Sequence, residues 1–389
     1  MLLIRGGTLY LGKGRYQKGQ DILIQDGLIS AIAPGISQAD CTTIDAEGMT
    51  VFPGFILPVS SIGAYGFFER VKDNSETTDP VTPHLDILYS FDIRELNLQH
   101  LSRAGITSYG LSPGDSTLLS GSMALLHSYG QRSSDLVILP KIAVKGNFTQ
   151  TVKSTFGEGL RMPYSRMAMF YMLDDALRQA REYMESKEGT DKAIDYDAKA
   201  EALIPILKRE LPLVMNAYIQ REIEAIAELA VKYNIRTVIH GAYQIDRCAT
   251  KVIDAGCHVA LGDLFFYQYA LNFETDIPKI IELYRQGLQL SLASCSDNPS
   301  LAGYEQIYWS AALLQRYGAT PDEVLDMLTL NPAKALGVEH LVGSLEVGKQ
   351  ADMILSLGNP LELFDTAPLY TIVTGEVAYH KGGIQDAAH

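Results

Sequence analysis

Between residues 51 and 341 the sequence alternates short apolar runs with amphipathic helical stretches, and this alternation constrains the fold more than any other feature of the chain. The apolar runs cover residues 51–58, 105–111, 137–144, 213–217, 236–239, 259–262 and 288–293. Runs of this length read as strands buried on both faces, and strands separated by helices form a parallel sheet. The helices are clearer still. From Arg166 to about Lys187, Met169, Leu173, Leu177 and Ala180 recur at three-to-four spacing. Residues 220–233 place Ile223, Ile226, Ala227 and Ala230 on one face. Thr320, Pro321 and Glu323 supply an N-cap, a first-turn proline and a capping-box acid for a helix over 321–330. The polar residues 188–196 read as a loop. With 389 residues, 47% of them hydrophobic, the chain has enough core for one eight-stranded α/β barrel and a smaller domain.

The two ends of the chain have a different texture. Residues 1–50 carry short Val- and Ile-rich runs broken by Gly and polar residues, and Asp26-Gly27 between two such runs is a hairpin signal. Residues 342–382 repeat the pattern, with Thr374-Gly375 as a second tight turn. Both ends therefore form small antiparallel strands.

The formal charge of -14 and the pI near 5.0 exclude nucleic acid and anionic membrane surfaces as expected partners, because both need Lys and Arg clusters. No apolar stretch approaches the ~18 residues of a membrane span. The first seven residues are apolar but lack the length and cleavage site of a signal peptide. Cys41, Cys248, Cys257 and Cys295 show neither metal-ligand spacing nor a disulfide framework. A cytoplasmic location is the expectation.

Several phrases together resemble one family. PGFILPVSSIG (residues 53–63) is similar to PGFIDAHTHIG, which opens the barrel of metal-dependent amidohydrolases, and GSLEVGKQADMIL (residues 343–355) resembles their GSLEPGKDADLVV. RMAMFYMLDDALRQAREY (residues 166–183) and LNPAKALG (residues 330–337) also match the imidazolonepropionase-like subgroup. The resemblance implies an α/β fold with a TIM-like (β/α)8 barrel over residues 51–341. Residues 1–50 plus 342–389 would pack beside it as one composite β-sandwich. It also implies hydrolysis of non-peptide C–N bonds by metal-activated water, which needs three or more His and carboxylate ligands per metal.

Most of those ligand positions are replaced here. Leu57, Val59 and Ser61 stand for the Asp and two His of the first strand. In KGNFTQTVKSTFG (residues 145–157) Gln150 takes the place of a Glu ligand, and Lys145 is either a loop lysine or a carbamylated metal bridge. Asn216 and Tyr218 replace two His of the fifth strand. His240 remains on the sixth strand and Asp297 on the eighth, where Asn298 replaces a further His. His84 lies in TDPVTPHL (residues 78–85), a phrase the subgroup carries beside its pocket.

The resemblance thus implies a degenerate metal site, with His240 and Asp297 as its remaining ligands and Asp297 as catalytic base if hydrolysis survives. Ser61, His84, Lys145, Gln150, Asn216, Tyr218 and Asn298 would line a polar pocket suited to a small neutral ligand. The leading expectation is a pseudoenzyme without cofactor that serves as a binding or partner subunit, beside an active homologue or a second copy of itself. The alternative is an active hydrolase with a rebuilt one-metal site, holding a divalent ion such as zinc and recruiting Asp115, Asp263 or His84.

Overall fold

The computed structural model describes residues 1–66, 72–95, 98–188, 195–264, 274–294, 303–362 and 368–382. Two sheets organise them. The chain opens with β1 (Leu2–Tyr10), β2 (Tyr16–Gln25), β3 (Leu28–Ala33), β4 (Thr42–Asp45) and β5 (Thr50–Pro53). It then runs through β6 (Phe55–Ser60), β7 (Ile106–Leu111), β8 (Leu119–His127), β9 (Val137–Asn147), β10 (Leu213–Ala217), β11 (Thr237–Gly241), β12 (His258–Leu261) and β13 (Leu290–Leu292). It closes with β14 (Met353–Ser356), β15 (Tyr370–Val373) and β16 (Glu376–His380).

The end sheet joins the first five strands to the last three. Its order is β16, β15, β14, β5, β1, β2, β3, with β4 alongside the first half of β1. β1 pairs with β4 through Leu2–Arg5 and with β5 at Thr8 and Leu9, and a register irregularity near Gly7 separates the two pairings. The sheet surrounds its own apolar cluster, which includes Ile4, Leu9, Ile22, Val51, Met353 and Ile372. Both hairpin turns fall where expected. Asp26 and Gly27 have φ of 50° and 78°, and Thr374 and Gly375 have 50° and 77°. Positive φ at both central residues is the signature of the type I′ turn, whose twist suits antiparallel strands.

The second sheet is a nearly closed eight-stranded barrel in chain order, β6 to β13, with β13 lying against β6. All neighbours are parallel except at β8, which runs antiparallel to both β7 and β9. This strand has no counterpart among the seven apolar runs of the sequence. All nine of its residues, LSGSMALLH, are buried, so it lacks the alternation that marks a strand. Its connections, residues 112–118 and 128–136, are shorter than the dozen or so residues a parallel crossover needs, which forces the reversed direction.

The helices agree well with the spacing. Arg166–Glu188 buries Met169, Leu173, Leu177 and Ala180, and Gln220–Tyr233 buries Ile223, Ile226, Ala227 and Ala230. Pro321–Leu328 begins with the expected capping box between Thr320 and Glu323. Most of the expected loop at 188–196 lies outside the described residues. No helix among the described residues is long and apolar enough to cross a membrane.

The chain passes from end sheet to barrel at Gly54, so the expected first strand over 51–58 is divided between two sheets. Gly54 donates its N–H to the Asp352 carbonyl at 3.0 Å, while Phe55 already donates to Gly105 of the barrel. A Cβ at Gly54 would lie 2.0 Å from Thr107 Oγ1, a contact no side chain tolerates. The return falls between Val342, packed with the barrel interior, and Leu345, packed with the end sheet. Side-chain contacts tie the bodies together, among them Tyr10 donating to Asp326 Oδ1 at 2.9 Å, Tyr16 donating to Asp322 Oδ1 at 2.7 Å, and His127 Nδ1 lying 3.4 Å from Asp352 Oδ2. Substituting Gly54→Ala is expected to cost about 2 kcal/mol through overpacking against Thr107. The cost would be read as a lower urea midpoint, and an unchanged midpoint contradicts the close approach.

Candidate binding site in the barrel mouth

The strand ends at the carboxyl side of the barrel hold a polar network built by register. Asn147 on β9 pairs with Asn216 on β10, which pairs with His240 on β11, so the three side chains stand at one level. Lys145 lies two residues before Asn147 and faces the same way, as alternate residues of a strand do. Its ammonium donates to Asn147 Oδ1 and Asn216 Oδ1, both at 2.7 Å, and to the Gly146 carbonyl at 3.3 Å. Lys145 is 1% exposed and Asn147 fully buried. Burying an ammonium costs several kcal/mol unless oxygens replace its hydration, and these acceptors contribute to that replacement.

Asn147 extends the network outward. Its amide donates to the carbonyls of Gly114 at 3.1 Å and Thr117 at 2.7 Å, and to Ser120 Oγ at 3.0 Å. On the other side, His240 Nδ1 lies 2.6 Å from Asn216 Oδ1, and Nε2 lies 3.0 Å from the Ser294 carbonyl just beyond β13. Burial holds the His240 imidazole down to about 3, and the Lys145 charge pushes the same way. The ring is therefore neutral at physiological pH and has one N–H for two facing oxygens.

Of the residues singled out by sequence, Lys145, Asn216 and His240 come together. Ser61 is buried just past β6. Tyr218 is half-buried, packs edge-on against Tyr243 with centroids 5.5 Å apart, and covers Gly241, where a Cβ would meet its ring at 2.4 Å. Gln150 is not in the network. It is exposed at the start of helix Gln150–Gly157 and reaches Ser154 at 3.4 Å, because β9 runs on to Asn147 and leaves Gln150 past the strand end. His84 is likewise exposed, near Asp79. Asp297 and Asn298 lie outside the described residues.

Val59 packs in the apolar interior of the barrel with Ile56, Met123, Val214 and Val238. Asp263 follows β12 but faces Ser310 on helix Gly303–Arg316, at 3.4 Å, and burial raises its carboxyl to about 7. Asp115 lies 4.0 Å from Lys72 and remains partly exposed. Asn147 and the Ser294 carbonyl are the site groups that sequence reasoning missed. The signal for Asn147 was its place two residues after a buried lysine. Among the described residues no three His, Cys, Asp or Glu side chains are grouped to hold a metal.

A second buried imidazole, His258 on β12, lies 3.0 Å from Ser291 Oγ. Burial holds it down to about 3 from an ordinary value of 6.5. The unfolded chain takes up this proton as pH falls through 6.5, but the folded chain resists until about 3. The stability present above that window therefore declines as pH falls through it. His258→Gln is expected to lessen the loss of stability between about pH 7 and about pH 5 in urea titrations; an equal loss in both proteins contradicts a neutral buried His258.

Comparison with known proteins bears on this architecture. A sequence profile of the Amidohydrolase family matches residues 270–378. Imidazolonepropionase from Shewanella sp. (strain ANA-3) is 37% identical over 144 residues, and that from Shewanella oneidensis (strain MR-1) is 35% identical over 140. Each match covers 35% of this chain and 33% of the relative, so the chain spans 33% of the length of these curated relatives. The crystal structure of an amidohydrolase from Thermotoga maritima MSB8 matches over 98% of this chain and 100% of its own, with a TM-score of 0.88 at 25% identity. A Xaa-Pro dipeptidase with bound methionine shares the fold at a TM-score of 0.62 and 18% identity, over 97% of this chain and 99% of its own. The barrel, the end sheet made from both termini and these matches agree: the chain has the fold of the amidohydrolases and is similar in sequence to imidazolonepropionases over about a third of its length.

Proposed function

We propose that this chain is an amidohydrolase barrel in which metal-dependent C–N hydrolysis has given way to a binding or partner role. The observation that carries the reading is the Lys145 ammonium, 2.7 Å from both Asn147 and Asn216. A fixed cation there repels a divalent ion and occupies the oxygen lone pairs such an ion would need.

The described residues fit a metal poorly in two further respects. Val59 offers no donor atom and belongs to an apolar cluster. Both nitrogens of His240 already face protein oxygens, at 2.6 and 3.0 Å. What the mouth offers instead is a lining of amide, hydroxyl and phenol groups from Asn216, Ser61 and Tyr218, suited to hydrogen-bonding a small neutral molecule. An active homologue of the same superfamily is the partner this reading favours. A cytoplasmic location belongs to the same proposal and rests on the sequence.

A second reading, an active hydrolase with a rebuilt one-metal site, draws support from the similarity to imidazolonepropionases. It would use His240 and Asp297 with donors beyond the described residues; Asp263, turned towards Ser310, is a weak candidate for recruitment. Metal analysis of protein purified without chelators separates the two readings. We expect well under one divalent ion per chain and no rise in melting temperature on adding zinc; a stoichiometric ion that stabilises the fold overturns the proposal. Lys145→Ala is expected to cost about 2 kcal/mol, since it leaves buried Asn acceptors unpaired. A variant as stable as the parent would show that the ammonium does not organise the mouth.

A further inference from the structure

The segment between helix Gln150–Gly157 and the first turns of helix Arg166–Glu188 presents large apolar side chains to water. Leu160 is 97% exposed, Met162 57%, Tyr164 74%, Met167 81% and Tyr171 63%. On the helix, Met167 and Tyr171 lie four residues apart and share one face, and Leu160, Met162 and Tyr164 lead into it. The inward side of the same segment is ordinary core, with Met169 and Leu173 buried.

Polar anchors hold this surface in place. The Arg161 guanidinium donates to the carbonyls of Thr77 at 2.7 Å and Thr78 at 2.8 Å, and its charge lies over the Phe156 ring at 5.3 Å. The Tyr164 ring lies on Gly157, where a Cβ would sit 1.9 Å from it. Ser165 Oγ accepts from the Ala168 N–H at 3.2 Å at the helix start. Leu160 has φ of 55°, a left-handed conformation that is strained for a bulky residue, and it leaves the side chain almost wholly in solvent. A surface already ordered loses little entropy when it is covered.

We propose that this patch is the interface between two copies of this chain. Taking ~200 Å² for a fully exposed side chain of this size, the five exposures amount to roughly 700 Å² per copy. A standard interface buries about 800 Å² on each partner. An isologous contact places like surface on like, and the five exposed side chains carry no charge, while the Arg161 guanidinium is turned towards Thr77 and Thr78.

Charge supports the same arrangement. In a chain of net charge -14, the first turns of the helix, residues 166–173, contain Arg166 and no acidic residue. Residues 174–188 carry Asp174, Asp175, Glu182, Glu185 and Glu188 against Arg178, Arg181 and Lys187. Two such helices laid antiparallel bring the basic end of each towards the acidic end of the other. The inference is independent of whether the barrel mouth hydrolyses anything.

The test is the solution mass of the full chain, by light scattering and sedimentation velocity at micromolar concentration. The expected species has twice the 42.7 kDa of one chain. Met167→Glu and Tyr171→Glu, each at an exposed position, are expected to raise the dissociation constant at least about tenfold while leaving the circular dichroism and melting temperature unchanged. Should either variant fail to fold, Leu160→Lys lies outside the helix and tests the same patch. A monomeric wild type overturns the proposal, as does a dimer that persists in all the folded variants.

Discussion

An ammonium ion stripped of water needs oxygen on every side it points, and among the described residues Lys145 finds it on two adjacent strands. Its own strand supplies the Gly146 carbonyl and the Asn147 amide, and the next strand supplies Asn216. The demand then spreads outward. Asn147 is fixed through its other end to the carbonyls of Gly114 and Thr117 before β8 and to Ser120 within it, and Asn216 is shared with His240, which reaches the chain beyond β13. A single buried charge thereby ties together segments that are far apart in sequence and sets the order of the carboxyl end of the barrel.

The same charge shapes the electrostatics of the mouth. Among the described residues, the groups bonded to this cation and next to them are neutral: two asparagines and an imidazole that burial and the nearby charge keep unprotonated. The first strand contributes a valine packed among other apolar side chains instead of a donor. Under the proposed binding role such a mouth would recognise its ligand by hydrogen bonding, whereas the relatives by sequence are named as enzymes. The shared fold fixes the scaffold, and the chemistry depends on which side chains the strand ends carry.

Where local geometry governs, the sequence was easy to read. Asp26-Gly27 and Thr374-Gly375 make the tight turns their composition demands, and Thr320 with Glu323 caps its helix. Asn216 and His240 were singled out by the resemblance to amidohydrolases, and the register of the two adjacent parallel strands brings them level. Gln150 was misplaced because β9 continues to Asn147, which puts the inward positions at 145 and 147 and moves 150 onto the next helix. β8 was invisible because a strand buried on both faces by small and apolar residues carries no period. The patch around Leu160 and Tyr171 could not be inferred, since exposed methionine and tyrosine at helical spacing look the same in sequence as buried ones.

The reversed β8 also bears on how the molecule assembles. β7, β8 and β9 form a meander whose strands are neighbours in sequence, so its pairings close only short loops. Every other contact around the barrel waits for a helical crossover to be traversed, and the end sheet waits for segments hundreds of residues apart to meet. Low contact order favours early formation. The meander is thus the part of the barrel whose pairings cost the least chain entropy to close, flanked by β6 and β10, and it ends on the strand that carries Lys145.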